Sequence, residues 1–181
     1  MISKNGLIYG NQHIKMNKII FLDIDGVLNV IGQGHDEFGQ LFHKHFEDNL
    51  RWIIDQTGAK IVISSSWRGS GLSEMQRMWK VRNLPGEVIG ITPFANDLVG
   101  RGVCEFYDDV SRGMEINQWI IDNNVDCYCI IDDDNDMIPN QMDNFVRTAN
   151  NSDHPDCVDI GFGLTKKCSE KAVEILNRSN K

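Results

Sequence analysis

The sequence predicts an α/β protein, a three-layer α/β/α sandwich built around a mostly parallel sheet. Three observations carry this expectation. Apolar runs of strand length, such as IIFL (19–22) and KIVI (60–63), alternate with segments whose apolar residues recur at helical spacing. Those runs are apolar throughout, as strands covered by helices on both faces must be. Three of them break off into polar residues, DIDG (23–26), SSS (64–66) and DDDND (132–136), so chemistry should gather along one carboxyl edge.

Taken in order, residues 1–16 carry no strong period and read as an N-terminal extension or a loose hairpin, with Met16 as a second in-frame start. IIFLDIDG (19–26) reads as the central strand, closed by Gly26. Phe46, Leu50, Ile53 and Ile54 mark a helix over 44–57, which Gly58 stops. KIVISSSW (60–67) is a second buried strand. Leu72, Met75, Met78 and Trp79 give a helix over 72–82, and EVIGITP (87–93) a third strand. No strong pattern marks 94–111. Met114, Ile116, Trp119 and Ile120 form the inward face of a helix over 113–123. CYCIID (127–132) and FVRTA (145–149) are strands four and five. A last helix over 166–177 offers Cys168, Ala172, Val173, Ile175 and Leu176 for burial, with Thr165 or Ser169 as its cap.

Composition narrows the function classes. The chain has 181 residues, 41% hydrophobic and 24% charged, which suits one soluble core and neither a disordered nor a membrane protein. No apolar run approaches the ~20 residues that span a bilayer. The segment MISKNGLIYGNQHIKMNK has no signal-peptide core, so a cytoplasmic protein is expected. A net charge of −8 and a pI near 5.0 argue against duplex-wide nucleic-acid binding. They leave room for a narrow end site, where a few arginines and a metal hold one terminal phosphate. The five cysteines, Cys104, Cys127, Cys129, Cys157 and Cys168, form no framework. Cys127 and Cys129, two apart in an apolar run, read as small hydrophobes on one side of a strand.

Four clusters carry the chemistry. In Asp23-Ile24-Asp25-Gly26, Asp23 has the character of a nucleophile at a strand tip and Asp25 that of a general acid and then base. Gly26 lets the chain turn beside the substrate. In Ser64-Ser65-Ser66-Trp67-Arg68, a hydroxyl can donate to a phosphoryl oxygen. Ser64 is the first choice and Ser65 the second, and Arg68 is either a substrate-phosphate ligand or a solvated side chain. Arg112, just before the 113–123 helix, is the candidate cation for the transferring phosphoryl, against Lys80, Arg82 and Arg101. In Asp132-Asp133-Asp134-Asn135-Asp136, four carboxylates within five residues call for a cation. Mg²⁺ needs only one or two of them plus substrate phosphate, and the glycine and glutamate of a helical calcium loop are missing.

With these four clusters the chain resembles the haloacid-dehalogenase-like (HAD) superfamily of phosphatases over roughly residues 17–177. The resemblance implies a Rossmann-like sheet and a catalytic domain at 17–181. It makes Asp23 the nucleophile and Asp25 the acid/base, whose backbone carbonyl is also a metal ligand. Ser64 takes the hydroxyl position and Arg112 the cation position, where many members have lysine. By the same resemblance Asp133 binds Mg²⁺ directly and Asp132 and Asp136 hold its water shell; Asp23 is counted with these metal residues, and Ser65, Arg68 and Gly26 are the candidates to line the substrate site. SSSWR and GFGLT (161–165) further resemble the small HAD domains of Swiss-army-knife RNA-repair proteins and similar phage and bacterial proteins.

No large cap domain fits, since 38 residues lie between Asp25 and Ser64 and 47 between Ser64 and Arg112, much of them used by helices and a strand. The resemblance implies that an open site of that kind suits a nucleic-acid end or a phosphoprotein, and such a site still admits small nucleotides. His35, Phe38 and Phe42 form either a small flap that stacks on a base or ordinary packing. The expectation is a Mg²⁺-dependent phosphomonoesterase acting on a nucleotide or a phosphorylated polynucleotide end. The alternatives are a small-metabolite or protein phosphatase and a catalytically silent phosphate-binding subunit.

Overall fold

Apolar runs and amphipathic segments resolve into a five-stranded, fully parallel sheet in the order β5 (Val88–Ile91), β4 (Lys60–Ile63), β1 (Ile19–Leu22), β6 (Tyr128–Asp132), β7 (Phe145–Arg147). The structure, a computed structural model, describes residues 18–29, 34–148 and 162–178. The expected extension 1–16 lies outside these, as do Ala149, Cys157 and Gly161.

Side-chain alternation divides the strands between two cores. Ile20, Leu22, Ile61, Ile63, Cys129 and Ile131 meet α1 (Lys44–Thr57), α2 (Leu72–Val81) and α5 (Lys166–Asn177) through residues such as Leu50, Ile53, Met78 and Ile175. Ile19, Phe21, Val62 and Ile130 meet Ile116 and Trp119 of α4 (Arg112–Asn123) on the other face. Fully burying each such side chain contributes about 1.5–3 kcal/mol, so a strand buried on both faces is fixed strongly in register. Both faces are covered, giving three layers. Cys127 and Cys129 pack in the first core as free thiols.

Local signals set the helix ends. Gly58 is left-handed (φ 66°) and returns its N–H to the Ile54 carbonyl. The Ser111 side chain accepts from the Met114 N–H at the head of α4, and Thr165 accepts from Cys168 at the head of α5. Ser169 instead donates to the Thr165 carbonyl.

Several expectations are corrected. The strands stop earlier than 26, 67 and 93, because Asp23, Ser64 and Thr92 each make one further ladder bond and the chain then turns. The segment 94–111 contains α3 (Ala95–Gly100) and a 3₁₀ turn at Tyr107–Asp109. Leu98 is the one buried residue of α3, too little to make a period. Met114 is half-buried rather than core. A two-stranded hairpin, β2 (His35–Asp36) and β3 (Gly39–Gln40), follows β1 with strands too short to show alternation. Phe42 is packed between Trp67 and Trp79, and Phe38 lies under Arg77, while His35 is exposed. No helix among the described residues is long and apolar enough to cross a membrane.

Candidate active site

The parallel register brings the strand tips level. Leu22 stands opposite Ile63 and Ile131, and Ile63 opposite Ile91. One residue further on, Thr92, Ser64, Asp23 and Asp132 therefore line up across the carboxyl edge. Their ladder bonds run from Thr92 N–H to the Ile63 carbonyl, Ser64 N–H to the Leu22 carbonyl and Asp23 N–H to the Ile131 carbonyl, each 3.0 Å. Asp23, Ser64 and Asp132 follow Phe21, Val62 and Ile130 by two, so the row sits on the face that α4 covers.

Arg112, the first residue of α4, reaches into this row. Its Nη1 donates to Asp23 Oδ1 at 3.2 Å and to Asp132 Oδ2 at 3.5 Å, and its Nε lies 3.8 Å from Glu115 Oε2. Burial pulls the guanidinium pKa down, but Asp132 and Asp23 outweigh it and leave it raised. Of the other cations weighed, Arg82 pairs with Asp36, Arg101 pairs with Asp122, and Lys80 is exposed on α2.

Carboxylate oxygens of Asp23, Asp132 and Asp133 lie within 4.8 Å of one another. Burial pushes the Asp23 carboxyl above its usual range, against the pull of Arg112 and of a hydrogen bond with the Ser65 side chain. Asp132 is pushed up to about 8, first by burial and then by repulsion from Asp23, despite Arg112. Two buried acids sharing one arginine leave negative charge uncompensated, and a hard divalent cation with oxygen ligands matches that donor set.

Asp25 is exposed above this row. Its Oδ1 accepts from Asn29 Nδ2 at 2.8 Å and its Oδ2 from Trp67 Nε1 at 2.9 Å. The serines divide the hydroxyl position. Ser65 engages Asp23, whereas the Ser64 Oγ is buried and has no partner among the described residues, as is the Oγ1 of Thr92 next to it. A buried hydroxyl left without a partner beside the Asp23 carboxyl can donate to an oxygen of a bound ligand.

Two expected site residues, Arg68 and Asp136, are placed differently. Arg68 is 3% exposed and is neither solvated nor available to a substrate. All five of its N–H groups are engaged, by the carbonyls of Ser64, Ser65, Thr92 and Pro93 and by Glu115 at 2.6 Å. Gly26 turns the chain as expected, with its N–H given to the Asn29 carbonyl and a positive φ of 68°. Asp136 stands outside the three-carboxylate cluster. It is exposed, and its Oδ2 accepts from the Arg112 backbone N–H at 2.9 Å, so it anchors the head of α4.

Sequence reasoning missed Glu115, Trp67, Asn29 and Gln141. Glu115 is buried between Arg68 and Arg112, and the signal was a carboxylate three residues after Arg112, next to the core residue Ile116. Asn29 stood in the FLDIDGVLN run. Gln141 is fully buried, holding the Gly113 carbonyl and the Ile138 N–H, and nothing in its local sequence marks it.

Residues 19–152 fit the family described as the HAD domain in Swiss Army Knife RNA repair proteins, a span that includes all four polar clusters. No curated protein matches the chain significantly.

Proposed function

Because the chain belongs to the family of HAD domains in Swiss Army Knife RNA repair proteins, an enzymatic phosphatase family, we propose that it is a Mg²⁺-dependent phosphomonoesterase that works through an aspartyl-phosphate on Asp23. Its proposed substrate is a nucleotide or the phosphorylated end of a polynucleotide. The observation that carries the reading is Arg112 reaching Asp23 and Asp132 at the sheet edge where Asp133 adds a third carboxylate.

In this reading an Asp23 oxygen attacks phosphorus as Asp25 gives its proton to the departing ester oxygen. Asp25 then takes a proton from water, whose oxygen attacks the aspartyl-phosphate and releases phosphate from a regenerated Asp23. Arg112 stays beside the nucleophile and neutralises charge on the transferring phosphoryl, and the Ser64 hydroxyl donates to one of its oxygens. Asp23, Asp132 and Asp133 would hold the ion, with the Asp25 carbonyl as a further ligand. Bound there, Mg²⁺ would offset the charge of nucleophile and phosphate.

Two facts favour a polynucleotide end. The family is named for RNA repair proteins. Beyond the core helices and strands, the described additions between β1 and α4 are a hairpin over residues 35–40, the short helix α3 and 3₁₀ turns, too little for a folded cap over a bulky substrate. The test is Mg²⁺-dependent phosphate release from an aryl phosphate, 5′- and 3′-mononucleotides, 5′- and 3′-phosphorylated RNA and DNA oligomers and a phosphopeptide, each against Asp23→Asn. Release that disappears in the variant and is fastest on oligomers supports the reading. Faster release from the phosphopeptide, or none above the variant on any substrate, contradicts it.

A further inference from the structure

We propose that Trp67 is a positioning residue for Asp25, aiming the carboxyl through its indole N–H, and that the β2–β3 hairpin seats its ring; this rests on Asp25 being the acid/base. Asp25 is exposed, and an exposed aspartate on its own samples several rotamers. Here each oxygen is held by a separate donor, Oδ2 by Trp67 Nε1 at 2.9 Å and Oδ1 by Asn29 Nδ2 at 2.8 Å. Both donors are neutral, and the indole N–H accepts nothing. A carboxyl oxygen can accept them in either protonation state, so the group keeps its aim while it gives up a proton and regains one.

The position of Trp67 is itself determined. Two residues earlier, the Ser65 side chain engages Asp23 and accepts from the Trp67 backbone N–H at 3.4 Å. One turn therefore delivers a hydroxyl to the nucleophile and an indole to the acid/base. Phe42 packs against the ring at 5.8 Å between centroids. The ring also meets Gly39, where an added Cβ would come 3.3 Å from Trp67 Cη2 and where φ is +114°. Arg82, the residue that follows α2, holds that hairpin, donating to Asp36 at 2.6 and 2.9 Å and to the Gly39 carbonyl at 3.3 Å. An indole resting on a surface aspartate by chance would need none of these supports.

A general acid matters most when the leaving oxygen is a poor one. Trp67→Phe keeps a ring and removes the donor. Rates are measured on an aryl phosphate with an acidic phenol and on a phosphorylated oligonucleotide, whose sugar alkoxide needs the proton. The oligonucleotide-to-aryl rate ratio is expected to fall about tenfold in Trp67→Phe, part of the ~10²–10⁴-fold that general acid–base catalysis supplies. It should fall further in Asp25→Asn and in the same direction in Gly39→Ala. Both rates come from one preparation, so the ratio is independent of the folded fraction. A ratio that falls in Asp25→Asn but not in Trp67→Phe overturns the role of Trp67 and leaves the proposed function standing. A ratio unmoved in Asp25→Asn overturns both. An independent readout needs no turnover. The chain has four tryptophans, and the indole N–H resonance absent from Trp67→Phe should move in Asp25→Ala. A resonance that stays in place overturns the proposal.

Discussion

At the scale of single residues, the site is a problem in charge. Asp23 and Asp132 are both buried and share Arg112. Removing that arginine leaves two buried acids facing each other, so Arg112→Ala is expected to lower phosphate release about 10²–10³-fold, the range for loss of a preorganised charge-stabilising donor. Arg112→Lys should recover part of it, since an ammonium restores the charge without the guanidinium fork. Steady-state kinetics on the best substrate checks both. The metal-free protein should also respond to pH with a definite sign. Burial and the neighbouring Asp23 push the Asp132 carboxyl from an ordinary 3.8 up to about 8, so between those values the unfolded chain binds fewer protons and stability falls as pH rises. Urea denaturation in a chelator at intervals from pH 5 to 8 should show that decline, and saturating Mg²⁺ should flatten it. Much of this was legible: Asp23, Asp132 and Asp133 announce themselves at strand tips. The fate of Arg68 was not, because a sequence shows an arginine but not the four carbonyls that surround it.

The element that matters most is the head of α4, because it carries Arg112. Ser111 caps it, Asp136 takes the Arg112 N–H, and Gln141 holds the Gly113 carbonyl. Gly113 lies against that support so closely that an added Cβ would come 2.5 Å from the Ile138 nitrogen and 2.7 Å from Gln141 Oε1. Gly113→Ala should therefore push the helix off its seat, costing about 1–3 kcal/mol and lowering activity with it. Gly100→Ala, at the end of α3 with nothing within 4 Å, should be neutral or gain up to ~1 kcal/mol. Thermal melts and kinetics of the two variants side by side decide the matter. Elements with a full apolar stripe, such as α1 with Phe46, Leu50 and Ile53, were readable to within a residue or two. Those that bury almost nothing, α3 and the β2–β3 hairpin, were not, although the hairpin seats Trp67.

Across the whole molecule, function follows from parallel register. Right-handed crossovers put every strand tip on one edge, and the four-strand row from Thr92 to Asp132 collects hydroxyls and carboxylates from distant parts of the chain. That convergence was visible in the sequence, since it needs only the order of strands and the residues at their ends. The supports beneath it were not, because Glu115, Gln141 and Trp67 act through contacts 28 to 47 residues away in sequence. Covalent chemistry at Asp23 is the claim on which the rest depends. The measurement that tests it most directly is rapid quenching of a labelled phosphomonoester with the Mg²⁺-loaded protein, followed by peptide mapping of any retained phosphate. An acid-stable, hydroxylamine-sensitive phosphate on Asp23, formed in a burst and absent from Asp23→Asn, is the predicted result. Turnover with no phosphate on the protein, or with phosphate on another residue, would contradict the account.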